Sequence, residues 1–215
     1  MRKYLTEFIG TFFFVLVIAL VVTPGGQAWA PLAIGATLMV VVYMGGHVSG
    51  GHYNPAVSLA VYLRGKLAAK DVLPYMVAQI LGAIAAAYIS YLLLGQTFAP
   101  SPAASAATVG AVMVELLFTF LLALVVLNTA TSKHTQGNSY YGLAIGFTIV
   151  VAAFAGGGIS GGAFNPAVAA GPTLVNAICG GGTLGNLWIY LVGPFLGGAL
   201  AAFVFKLQET PEPSV

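Results

Sequence analysis

Two stretches, His52-Tyr53-Asn54-Pro55-Ala56-Val57 and Ala163-Phe164-Asn165-Pro166-Ala167-Val168, each carry an Asn-Pro-Ala triplet directly after a glycine-rich run in an apolar chain. Each triplet has the form of a helix start, with Asn as the capping residue and Pro at the first helical position, where a missing N–H is no loss. From Asn54 to Leu63 is about ten residues, or about 15 Å of helix, against a hydrocarbon core of about 30 Å. Such a helix reaches only the middle of a bilayer. The irregular backbone leading to it is tolerated at that depth only where it is buried in protein or lines a cavity.

Composition makes the bilayer the relevant solvent. Hydrophobic residues make up 59% of the 215 residues and charged ones 6%, with a mean hydropathy of +0.97, the profile of a multi-span helical membrane protein. Six apolar stretches are long enough to cross, given some tilt or thinning: about 5–22, 31–46, 73–94, 109–128, 140–155 and 186–205. The first follows Arg2 and Lys3 as a signal peptide would, but Glu7 interrupts it and no small-residue cleavage site follows, so it reads as a retained span. The lone Cys179 excludes an intramolecular disulfide and reads as a small packing residue. No third ligand joins His47 and His52, so no metal site or cofactor is expected.

The plan of three spans and one half-span occurs twice. Residues 32–57 align without a gap on 143–168, so that Leu32-Ala33-Ile34-Gly35 recurs as Leu143-Ala144-Ile145-Gly146, and Ser49-Gly50-Gly51 as Ser160-Gly161-Gly162. Glu7 and Thr11 correspond to Glu115 and Thr119, and Tyr75 and Gly82 to Tyr190 and Gly197. An odd number of spans per half turns the second half upside down, which makes residues 1–108 and 109–207 two inverted repeats. Residues 208–215 read as a disordered cytoplasmic tail.

Every basic residue falls on one side of this plan. Arg2 and Lys3, then Arg64, Lys66 and Lys70, then Lys133, and finally Lys206 occupy alternate connections. The connections around 23–30, 95–108 and 156–185 carry no charge. Both termini are thus expected in the cytoplasm of a cell (plasma or inner) membrane. The net charge of +2 is a topology signal, and nothing points to nucleic acid. Entering from opposite leaflets, the half-helices bring Asn54 and Asn165 together near the midplane as N–H donors. Each helix N-terminus adds roughly +0.5 of an elementary charge. Carbonyls of Gly50, Gly51, His52, Gly161 and Ala163 are expected to supply acceptors along the path. Passing water must turn its oxygens toward the donors, which interrupts a proton wire, and cations meet positive helix ends.

These motifs, with a Glu in spans one and four, resemble the aquaporin or major intrinsic protein family over almost the full chain. The resemblance implies an all-α membrane protein of six transmembrane helices plus two re-entrant half-helices. It also implies one pore per protomer, a homotetramer, and loop-stabilising roles for Glu7 and Glu115. Asn54, Pro55, Ala56, Asn165, Pro166 and Ala167 would form the pore centre. One departure stands out: where the family normally has an arginine after the second triplet, this chain has Val168. By gap-free spacing the rest of that constriction falls on Ile34, Ala153 and Gly162. The four together form a wider, more apolar ring, which admits solutes larger than water yet lacks groups that compensate desolvation. The expected cargo is water with small neutral solutes such as hydrogen peroxide, ammonia or urea. A polyol channel is the alternative, disfavoured because Ala169-Ala170-Gly171-Pro172 follows the second motif instead of an acidic residue.

Blander roles are assigned elsewhere. His47 and His52, placed on the first re-entrant loop, read as loop-capping groups in preference to pH sensors, and Tyr43 and Phe154 as packing residues. Trp29 and Trp188 read as interface anchors, Gly82 and Gly197 as sites of close helix approach, and Lys133-His134 as a solvated loop. A secondary transporter would need a coupling carboxylate beside the broken helices. An enzyme would need partners that Ser49 and Ser160 lack.

Overall fold

The computed structural model describes residues 1–23, 25 and 27–209. Among these residues, six helices are long and apolar enough to cross a membrane: α1 (Arg2–Val22), α2 (Ala30–Ser49), α4 (Ala69–Leu94), α5 (Thr108–Val126), α6 (Tyr141–Ser160) and α8 (Leu187–Gln208). Two shorter ones, α3 (Pro55–Leu63) and α7 (Pro166–Cys179), follow the Asn-Pro-Ala triplets. The α5 span continues through a π-helical turn, Leu127–Thr131, where Asn128, Thr129 and Thr131 bond back to carbonyls four residues earlier.

The halves interlock. Helix α1 packs on α4 and α5 on α8, while α3 lies against α8 and α7 against α4, so each half-helix is held by the third span of the other half. The halves meet where α2 crosses α6, and the contact is reciprocal. A Cβ added to Gly35 would lie 2.5 Å from the Gly146 carbonyl, and one on Gly146 would lie 2.5 Å from the Gly35 carbonyl. Small residues at a helix crossing let backbones touch where water provides no hydrophobic drive. Gly82 and Gly197 have the close-approach role expected of them, for added Cβ atoms would sit 2.4 Å from the Phe8 and Leu116 carbonyls. Gly82→Ala must therefore push α4 off α1 at a cost of about 1–3 kcal/mol. A lowered thermal midpoint in detergent checks this, and an unchanged midpoint would contradict the contact.

Several expectations need correction. Helix α2 runs past its expected end near residue 46 to Ser49, and α6 runs past residue 155 through Gly156-Gly157-Gly158, which read as loop. Gly45 and Gly156 are packing sites inside these helices: a Cβ on Gly45 would meet the Tyr53 hydroxyl at 2.2 Å, and one on Gly156 would meet Val114 at 2.7 Å. His47 consequently lies on α2 and not on the re-entrant loop. Phe154 is exposed, and the packing role expected of it is absent within the protomer. Tyr43 does pack, edge-on to Tyr141 and over Gly142, and it is a tie as well, its hydroxyl donating to the Ser139 carbonyl and accepting from the Leu143 N–H. Gln208 ends α8, and Glu209 accepts a hydrogen bond from Arg64 at the foot of α3, so the first two residues of the expected tail are ordered. Its remainder lies outside the described residues.

Candidate functional site

The site is built from two loops that reverse the chain at the tips of α2 and α6. Gly50 and Gly161 end those helices in the left-handed region, and Gly51 and Gly162 continue there. Tyr53 and Phe164 also hold positive φ, 48° and 49°, a conformation uncommon for residues with bulky side chains. Two buried carboxylates hold that backbone. Glu7 accepts from Ser49 Oγ (2.6 Å), the His52 N–H (3.0 Å), the Tyr53 N–H (2.7 Å) and Gln79 Nε2 (2.8 Å). Glu115 accepts from Ser160 Oγ (2.8 Å), the Ala163 N–H (3.0 Å) and the Phe164 N–H (2.6 Å). Tyr75 and Tyr190 complete each cradle by donating to the carbonyls of Ser49 and Ser160. Without these partners the loop N–H groups would be orphaned in a buried setting, at about 1–3 kcal/mol each.

The loops are also cross-linked. Asn54 caps α3 by accepting from the Ala56 N–H at 2.9 Å, while its Nδ2 donates to the Phe164 carbonyl at 2.9 Å. Asn165 caps α7 by accepting from the Ala167 N–H at 2.9 Å, while its Nδ2 donates to the Tyr53 carbonyl at 2.8 Å. The bonds orient both amides, and each keeps one further N–H. Pro55 and Pro166 occupy the first helical positions, and Ala56 and Ala167 are fully buried behind them.

Three cavities adjoin this centre through shared lining residues. A cavity of 760 Å³ opens at the basic end, bordered by Lys3, His47, Gly50, His52, Lys66 and Asp71 among others. At the charge-free end, a cavity of 630 Å³ is lined by Ile34, Ala153, Gly162 and Val168, together with Gly161, Ala163 and the 96–101 loop. Between them Gly51, His52, Asn54 and Asn165 border a waist of only 10 Å³, closed by Phe14, Leu38, Val57 and Ile149. That is about the space of one water. The waist shares His52, Val126 and Ile145 with the first cavity and Phe14 and Ile149 with the second, which itself brings Ile34, Ala153, Gly162 and Val168 together. The basic mouth carries a cluster that sequence reasoning missed: Asp71, accepting from Lys3 Nζ (2.5 Å) and the Tyr4 hydroxyl (2.6 Å). Gln79 was missed too. Its signal is an amide side chain in an apolar span, unmatched under the repeat.

The Major intrinsic protein family model matches residues 1–205. The chain belongs to that family. The major intrinsic proteins are channels, and this multi-pass membrane protein is a channel and not an enzyme. It is 38% identical to glycerol uptake facilitator protein-like 6 of Lactiplantibacillus plantarum, over 99% of this chain and 100% of that one. It is 32% identical to aquaporin Z of Rhodopseudomonas palustris, over 99% and 95%. The X-ray structure of the aquaglyceroporin from Plasmodium falciparum superposes with a TM-score of 0.86 at 26% identity, covering 96% of each chain. The structural match and the helix content agree with the expected fold of six spans and two re-entrant half-helices.

Proposed function

We propose that this major intrinsic protein conducts water and small neutral solutes passively through a pore whose centre is the Asn54–Asn165 pair. The observation that carries the reading is the one-water waist between two crossed, oriented amides. Ile34, Ala153, Gly162 and Val168 form the selectivity ring of this reading. Their side chains contribute no hydrogen-bonding atom, so the polar contacts for a solute come from loop backbone and from Thr23, Gln96, Thr97, Ser101 and Asn176 on the same cavity wall. The carbonyls of Gly50, Gly51, His52, Gly161 and Ala163 serve as acceptors leading to the waist. The basic end faces the cytoplasm of the cell membrane, and the protomers assemble as a homotetramer.

A second reading, polyol conduction, is favoured by the size of the outer cavity and by the names of the facilitator and aquaglyceroporin relatives. Stopped-flow light scattering on proteoliposomes separates the two. Fast shrinkage under an impermeant osmolyte, followed by rapid reswelling with urea or peroxide and slow reswelling with glycerol, is expected of the first reading. Glycerol reswelling as fast as that with urea would establish the second. Saturable flux that follows an ion gradient would overturn both.

A further inference from the structure

The two loop cradles are alike except for one addition. Beside the first half-helix, His52 of the loop, Ser58 of α3 and Gln79 of α4 form a chain of buried polar groups. In the second half the matching positions are Ala163, Ala169 and Pro194. Gln79 Nε2 donates both to Glu7 (2.8 Å) and to Ser58 Oγ (2.9 Å), and Ser58 Oγ lies 3.0 Å from His52 Nδ1.

Proton accounting along this chain leaves a single solution. Turning the Gln79 amide over would set its oxygen against the Glu7 carboxylate, so both N–H groups stay where they are. Gln79 Oε1 remains buried without a partner as the consequence. Ser58 Oγ then accepts from Gln79, and its own hydrogen needs an acceptor. Ser58 makes no side-chain bond back to its own helix, and among the described residues the acceptor its hydroxyl meets is His52 Nδ1. An imidazole that accepts at Nδ1 carries its hydrogen on Nε2. His52 is 6% exposed and borders both the basic cavity and the waist, and its Nε2 lies beside Gly50, where a Cβ would come within 3.0 Å. The groups packed around the ring are Ser58, the Tyr75 ring at 5.0 Å and the Glu7 cradle.

We propose that His52 is a third lumen donor, a neutral imidazole locked as the Nε2–H form by Ser58 and Gln79, which orients each passing solute by its acceptor atom on the basic side of the Asn pair. This rests on the channel reading given above. Gln79 and Ser58 are positioning residues, and the arrangement extends the stretch in which water oxygens point at fixed donors. It also makes the pore asymmetric, since Ala163 offers no donor at the same depth on the other side.

The test is solid-state NMR of ¹⁵N-histidine-labelled protein in lipid vesicles, with the His52 signals assigned by comparison with His52→Ala. One neutral ring, protonated at Nε2 and bare at Nδ1, is expected in the native chain. Ser58→Ala, which copies Ala169, should raise the Nδ1–H form several-fold, and proton leak through the same vesicles should rise with it several-fold. Gln79→Met is the second variant, because it frees Ser58 Oγ to accept from His52 and should shift the ring the same way. A native ring protonated at Nδ1, or charged, would overturn the proposal. So would an unchanged tautomer in the variants, or a mixed tautomer without added leak. The spectra read the ring whether or not the vesicles pass water, so absent water flux in the native chain would count against the channel reading alone.

Discussion

Glu115→Leu is expected to yield a protein with no measurable water flux and a collapsed thermal midpoint. The substitution fits the apolar setting by composition, but it removes the acceptor for Ser160 Oγ and for the N–H groups of Ala163 and Phe164. All three donors lie at buried positions next to a residue already held at positive φ. Leaving each unsatisfied costs about 1–3 kcal/mol, so the loss is on the order of 5 kcal/mol, comparable to the whole stability of many folded proteins. Glu115→Gln separates acceptor from charge. It keeps one oxygen but sets an amide N–H₂ against a donor, and should fall between the native chain and the leucine variant. Glu7 has four donors to lose, and Glu7→Leu should be at least as severe. Thermal unfolding in detergent beside stopped-flow flux decides the matter. Native flux from Glu115→Leu would remove the glutamate from the loop's support.

The large pattern was legible in the chain because it is written twice. A carboxylate in each half, at matching depth in an apolar span, has few roles open to it, and Glu7 and Glu115 fill the structural one by hydrogen-bonding matching loops. Asn54 and Asn165 were readable as caps, since a capping side chain and a proline at the next position are local chemistry. Their crossed bonds were not readable, because each joins residues more than a hundred positions apart. Glycine misled at the end of α6, where the same composition serves as loop or as a smooth helix face. Only the neighbour, Val114 over Gly156, tells which. The contributions that break the repeat stayed hidden for a related reason: Gln79, Asp71 and the 96–101 loop on the outer cavity have no second copy to draw attention to them. Arg64 reads as a topology signal, yet it also stacks on Phe205 and bonds to Glu209, tying the foot of α3 to the end of α8.

Val168→Arg should turn a permissive outer ring into a restrictive one. Val168 is a buried residue of the first turn of α7, and it shares the 630 Å³ cavity with Ile34, Ala153 and Gly162. A guanidinium there brings five N–H donors and a fixed positive charge to a wall whose ring side chains have neither. Two effects follow with different sizes. The added bulk narrows the cavity for anything larger than water, and a tenfold fall in urea flux, equivalent to about 1.4 kcal/mol on the barrier, is the least that such a plug should give. The added charge repels protons and cations at the mouth, so proton leak should fall as well. Water flux should change less than either, since donors from the guanidinium offset the desolvation that an apolar ring imposes. In the proposed pore the native ring would leave proton exclusion to the Asn pair, the half-helix ends and His52, so the leak measurement weighs those groups directly. Equal leak in Val168→Arg and native vesicles would mean that the centre alone suffices. An unchanged ratio of urea to water flux would mean that Val168 does not border the path.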